Sequence, residues 1–143
     1  ASFLDLTLCF CMCFCIKMYE VFTETHFSSA HRLRNYNGAC EFLHGHNWQV
    51  KITTRSRELD KIGLSIDFKI LKNHMKDVTD RLDHVDLNTI FTEEIGNPSA
   101  ENIAKYIFDE MDALIKAEDT PAFMYRVDVW ETPGNCASYF EEN

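Results

Sequence analysis

From His46 to Thr54 the chain alternates, and no other stretch limits the fold so tightly: Trp48, Val50 and Ile52 fall on one side, Gln49, Lys51 and Thr53 on the other. A period of two is that of a half-buried β-strand, so the first set faces a core and the second faces away from it. Carried backward, the same parity puts His44 and His46 on the core side, with their backbones about 6.6 Å apart. Imidazoles aimed at an apolar interior need partners there. They are either core histidines satisfied by backbone groups or two ligands of one ion, and an H-x-H pair alone leaves both readings open.

The remaining elements follow from period and punctuation. Residues Tyr19 to His31 suit an extended strand, and Tyr36-Asn37-Gly38 supplies turn chemistry after it. Asp67 can cap a helix running to about Arg81, with Leu71, Met75, Val78 and Leu82 on one face. Asn97-Pro98-Ser99 starts a second helix whose Ile103, Ala104, Ile107, Phe108, Met111, Leu114 and Ile115 form an apolar stripe, read as core. After Pro121, Phe123, Tyr125, Val127 and Val129 alternate with Met124, Arg126 and Asp128 in a third strand. Thr132-Pro133-Gly134-Asn135 turns into a last strand, Cys136 to Phe140. Strand pairs separated by a block of helices predict an α+β domain, an antiparallel sheet with two helices on one face in the order ββααββ.

Composition bounds the function. At 143 residues the chain is long enough to bury a core without a disulfide framework. A net charge of -9, with 14 scattered basic residues, argues against a nucleic-acid partner. Four of the six cysteines, Cys9, Cys11, Cys13 and Cys15, lie in one apolar run from Phe3 to Ile16 that is too short to span a bilayer and lacks the basic start of a secretory signal. Residues 1–18 are read as a disordered extension or as sequence upstream of a natural start at Met18. The other reading of the four thiols is a soft-metal or lipid-anchoring strand face. Residues 19–143 are read as a single domain, and free thiols without an export signal make the cytoplasm the expected compartment, with no membrane contact.

Three places could carry chemistry. His31, at the end of the first strand, is the candidate third partner of His44 and His46; three neutral imidazoles with an open fourth position make the catalytic zinc pattern. His26 differs from His31 by an odd number and should face away. Asp83-His84 follows the first helix, where an Asp can orient an imidazole acting as a proton relay, or where the two are an ordinary helix-terminal polar cluster. Glu131 shares the parity of Val127 and Val129, so it either ends the inward face as a clamp for a planar amidine-like group or lies beyond the strand in solvent.

Together these residues resemble the 6-pyruvoyltetrahydropterin synthase and 6-carboxytetrahydropterin synthase family from about Tyr19 to Phe140. The motifs are FSSAH (27–31), CEFLHGHNW (40–48), GLSIDF (63–68), LDHVDLN (82–88), NPSAENIA (97–104) and VWETP (129–133). The resemblance implies a T-fold whose trimers join their sheets into a barrel and stack as a hexamer, with sites between subunits. It implies a zinc ion on His31, His44 and His46, Cys40 as catalytic base, Asp83 and His84 as relay, and Glu131 as anchor of a pterin substrate. Glu101 is a further candidate for substrate binding. Cys136 is read as a packing residue.

The spacing of Cys40, four before His44, resembles the bacterial 6-carboxytetrahydropterin synthases of the queuosine pathway. That implies conversion of 7,8-dihydroneopterin triphosphate to 6-carboxy-5,6,7,8-tetrahydropterin, acetaldehyde and triphosphate. The alternatives are a 6-pyruvoyltetrahydropterin synthase, or side-chain cleavage of dihydroneopterin to 6-hydroxymethyl-dihydropterin for folate synthesis. Glu41 keeps the last in play, because a further branch carries a glutamate at this position, and the Cys40-Glu41 pair resembles members of dual type. Outside this chemistry stand a zinc hydrolase of another kind and a noncatalytic zinc-binding oligomer; the latter leaves Cys40, Asp83, His84 and Glu131 unexplained.

Overall fold

The computed structural model describes residues 16–142. Its elements run β1 (Tyr19–His31), β2 (His44–Ser56), α1 (Phe68–Thr79), α2 (Ala100–Lys116), β3 (Phe123–Thr132) and β4 (Asn135–Phe140), with single 3-10 turns at Ala39–Glu41 and Leu87–Thr89. The strands form one antiparallel sheet in chain order. Both helices connect β2 to β3 and cover one face of it, which gives the α+β T-fold, ββααββ. The expectations for Cys9, Cys11, Cys13 and Cys15 lie outside the described residues. Among the described residues no helix is long and apolar enough to cross a membrane.

The parity of β2 organises the core. Trp48, Val50 and Ile52 are fully buried, and β1 lays Phe27, Thr25 and Thr23 opposite them in register. The rings of Phe27 and Trp48 stack with centroids 6.0 Å apart. From the helices, Leu71, Met75 and Val78 of α1 and Ile103, Ile107, Met111 and Ile115 of α2 close the same core. His26 is exposed on the opposite face, as its odd spacing from His31 requires.

Three expectations are corrected. The inward face of β3 does not run Phe123, Tyr125, Val127, Val129: Thr53 pairs with Arg126 but Thr54 pairs with Met124, so Tyr125 is the extra residue of a β-bulge and Met124 takes the buried place. Cys136 packs into no core; it is an exposed thiol on β4, the edge strand. The first helix ends at Thr79, before Arg81, although Leu82 beyond it is fully buried.

Asp67 caps the first helix as the sequence predicts, and within the Asn97-Pro98-Ser99 start of the second the cap is Ser99. Asp67 accepts a hydrogen bond from the Lys69 N–H at 2.7 Å, and Ser99 accepts one from the Asn102 N–H at 3.3 Å. Ser99→Ala should lower stability by about 1 kcal/mol, read as a downward shift in thermal midpoint with the fold retained. An unchanged midpoint would mean that the long Ser99 contact contributes nothing.

The stretch after α1 returns to the sheet and lies along the free edge of β1. His84 N–H donates to Ser28 O at 2.6 Å, Ala30 N–H to Val85 O at 3.1 Å, and Ala30 and Asp86 form a parallel bridge. Backbone groups left open at the end of an edge strand are satisfied in this way. The same pairing fixes residues 83–86 beside the strand that ends in His31.

Candidate metal centre

Strand register assembles the site. His31 is directly opposite His44, and Ser29 is opposite His46, so the three imidazoles leave the inward face at one end of the β1–β2 ladder. Their ring centroids are 4.6, 5.2 and 4.8 Å apart, and Trp48 underlies them, its ring edge-on to His31 and His46. Glu131 joins them: one ligand atom from each of His31, His44, His46 and Glu131 lies within 4.8 Å of every other. Glu131 is the residue skipped where the β3–β4 register shifts between Trp130 and Thr132. A bulge at this point re-aims a side chain that regular pairing would hold in the ladder.

The hydrogen bonds of the rings determine what the cluster can hold. His31 Nδ1 donates to Pro98 O at 2.7 Å and His44 Nδ1 donates to Phe42 O at 2.7 Å. A carbonyl can only accept, so each Nδ1 carries the proton and each neutral ring presents a lone pair at Nε2. Those two Nε2 atoms face each other at 3.2 Å. Two acceptors at that distance with no proton between them repel unless a cation lies among them. Tetrahedral zinc with Zn–N bonds of about 2.0–2.1 Å sets its nitrogens about 3.3 Å apart, so the donor spacing fits. Among the described residues His46 Nε2 is buried without a hydrogen bond, and Glu131 Oε1 lies 3.0 Å from it. Neutral nitrogens plus one carboxylate suit zinc as donor chemistry.

Burial acts in the same direction. It pushes the His31 and His46 imidazoles below the ordinary histidine range, against the pull of Glu131, which favours their charged forms. A neutral imidazole is the form that ligates.

The other candidates occupy the rim. Asp83 Oδ2 and His84 Nδ1 are 2.8 Å apart, and the Ser28 N–H donates to Asp83 Oδ1 at 2.8 Å. The Ser28 N–H, and after it His84, hold the Asp83 carboxyl below the usual carboxylate range. His84 is well exposed, and its backbone is left-handed with φ 56°. It shares with His46, Asn47 and Asp86 an open depression of about 490 Å³. Cys40 and Glu41 sit in the 3-10 turn between β1 and β2, where Leu33 N–H donates to Cys40 O at 2.8 Å and ties the turn to the chain just past His31. Glu41 is exposed, and Cys40 is a half-buried free thiol. Neither is in the histidine cluster, and Glu101 stands exposed in the first turn of α2.

Sequence reasoning missed the two carbonyls, of Pro98 and Phe42, that set the His31 and His44 tautomers. A carbonyl leaves no residue-type signal. It also missed that Glu131 would touch His46, since pairing register is invisible in a single strand.

A T-fold sheet whose strand ends gather three histidines and a glutamate defines a class of T-fold protein with a side-chain cluster that could hold a metal ion. The chain's relatives narrow this. The family model described as 6-pyruvoyl tetrahydropterin synthase matches residues 20–142. The chain is 33% identical to the 6-carboxy-5,6,7,8-tetrahydropterin synthase of Synechocystis sp., covering 86% of this chain and 94% of that protein. It is also 33% identical to the protein of that name from Bacillus subtilis, covering 85% and 84%. Among solved structures, a Caenorhabditis elegans 6-pyruvoyl tetrahydropterin synthase superposes with a TM-score of 0.75 at 28% identity, covering 89% of this chain and 98% of that one. The chain belongs to the 6-pyruvoyl tetrahydropterin synthase family.

Proposed function

We propose that this protein is a zinc-dependent lyase of a pterin side chain. Its reaction takes 7,8-dihydroneopterin triphosphate and water to 6-carboxy-5,6,7,8-tetrahydropterin, acetaldehyde and triphosphate, the chemistry of the queuosine pathway. The observation that carries the metal part is the pair of Nε2 lone pairs facing at 3.2 Å, both rings held in that tautomer by carbonyls. The pterin part is supported by the Synechocystis and Bacillus relatives, whose names give the carboxy product.

His31, His44 and His46 would hold the ion. Bound there, zinc supplies Lewis acidity to the hydroxyls of the substrate side chain. Cys40, as its thiolate, removes a carbon-bound proton. His84 returns protons to the side chain and ring, and Asp83, kept ionised by the Ser28 N–H, stabilises the imidazolium formed in between. Glu131, with about a third of its side chain open, accepts two parallel hydrogen bonds from the 2-amino-pyrimidine edge. The chain would work as a cytoplasmic homo-oligomer, a trimer or hexamer, with the exposed Asp83–His84 pair facing a neighbouring subunit's site.

A second reading rests on Glu41, the carboxylate beside Cys40 in the same turn. With Glu41 as base the substrate is dihydroneopterin and the product is 6-hydroxymethyl-dihydropterin, a folate precursor.

Zinc dependence is tested by stripping the protein with a chelator and adding zinc back while following consumption of 7,8-dihydroneopterin triphosphate. Turnover should vanish and return with one zinc per chain; full activity after stripping would refute the metal role. Glu131→Gln separates anchoring from ligation. It should raise KM by about tenfold or more with zinc content unchanged, since a lost charge-assisted hydrogen bond is worth about 1.5–3 kcal/mol. Loss of zinc instead would make Glu131 a fourth ligand.

A further inference from the structure

We infer that Arg34 is a positioning residue for the metal centre, acting through the loop that orients His31. The inference rests on the metal-centre reading above. His31 depends on one acceptor, Pro98 O, which lies in the connection between the Leu87–Thr89 turn and α2. That connection has little regular structure: Ile95 N–H and Gly96 N–H both donate to Thr92 O, and Gly96 takes a left-handed φ of 106°.

Arg34 holds this loop from β1's side. Its guanidinium donates from Nη1 to Phe91 O at 2.9 Å, and from Nη2 to Thr92 O at 3.1 Å and Gly96 O at 2.7 Å. Its backbone pairs both ways with the next residue of the loop, Arg34 N–H donating to Asn97 Oδ1 at 2.8 Å and Asn97 Nδ2 to Arg34 O at 3.0 Å. Asn97 O in turn accepts from Asn102 Nδ2 at 2.8 Å, which joins the loop to α2. Pro98 is the next residue, buried between this anchor and the Ser99 cap.

A guanidinium presents its donors as a rigid planar fork, and Arg34 uses two of its nitrogens to reach three separate carbonyls. The chain of contacts therefore runs from guanidinium to loop carbonyls, to Pro98 O, to His31 Nδ1, and ends at the lone pair of Nε2. Groups that orient ligands in this way commonly contribute about 10- to 100-fold in metal affinity.

The test compares wild type with Arg34→Lys, Arg34→Ala and Asn97→Asp by zinc competition against a chromophoric chelator, and by the visible absorption of the cobalt-substituted proteins. Arg34→Lys keeps the charge and stem but cannot span the three carbonyls. It should unfold cooperatively like wild type, yet bind zinc at least about tenfold more weakly and show an altered cobalt spectrum. Asn97→Asp loses the donor to Arg34 O and should move both readouts in the same direction, which keeps the idea testable if Arg34→Ala fails to fold. Wild-type zinc affinity and cobalt spectrum in a folded Arg34→Lys protein would overturn the role of Arg34 alone. Absence of zinc uptake by the wild type would overturn the metal centre itself.

Discussion

His46→Ala is expected to lower zinc affinity by more than about 100-fold and to remove turnover with it, because removing an orienting group alone commonly costs up to that factor and His46 is one of the proposed ligands. The substitution is informative because, among the described residues, His46 Nε2 is buried without a hydrogen bond, beside two other nitrogens and the Glu131 carboxylate. Taking away one of several mutually repelling groups should leave the metal-free fold as stable as wild type or more so. Metal content after dialysis and the thermal midpoint of stripped protein check both halves. Retained zinc would show that the ion sits elsewhere.

Acidification bears on the same cluster. Burial lowers the pKa of His31 and His46, so these rings stay neutral below the ordinary histidine value of about 6.5. Zinc release, which requires their protonation, should therefore begin only below that pH. Release already complete at neutral pH would contradict the neutral, buried ligand set.

Cys40→Ala is expected to reduce formation of 6-carboxy-5,6,7,8-tetrahydropterin by about 10²- to 10⁴-fold, the range for loss of a positioned base. Zinc content should be unchanged, since Cys40 is outside the cluster formed by His31, His44, His46 and Glu131. Any 6-hydroxymethyl-dihydropterin made from dihydroneopterin should persist in this variant and disappear in Glu41→Gln. An unchanged rate of carboxy product in Cys40→Ala would remove Cys40 from the role of base.

The parts of the fold set by side-chain period were legible in the sequence. The parity of Trp48, Val50 and Ile52 placed His44 and His46 on the buried side, and the odd spacing of His26 placed it outside. The cap at Asp67, and the helix start at Asn97-Pro98-Ser99, stood where short polar residues precede an apolar stripe. What failed was set by pairing between strands. The bulge at Tyr125 exchanges the faces of Met124 and Tyr125 because β2 carries one residue fewer than β3 there, which neither strand reveals alone. Cys136 looked like a core residue because cysteine usually is one, but β4 is an edge strand with alternately exposed positions. The carbonyls of Pro98 and Phe42, and Arg34 behind them, belong to loops whose path depends on the finished core. No local pattern announces them.

The most direct test of the account is the identity of the product. Zinc-loaded protein is incubated with 7,8-dihydroneopterin triphosphate and, separately, with dihydroneopterin, and the pterins formed are identified by mass. The account predicts 6-carboxy-5,6,7,8-tetrahydropterin with acetaldehyde from the first, and its loss when zinc is removed. Absence of turnover of either substrate by the zinc-loaded protein would contradict it.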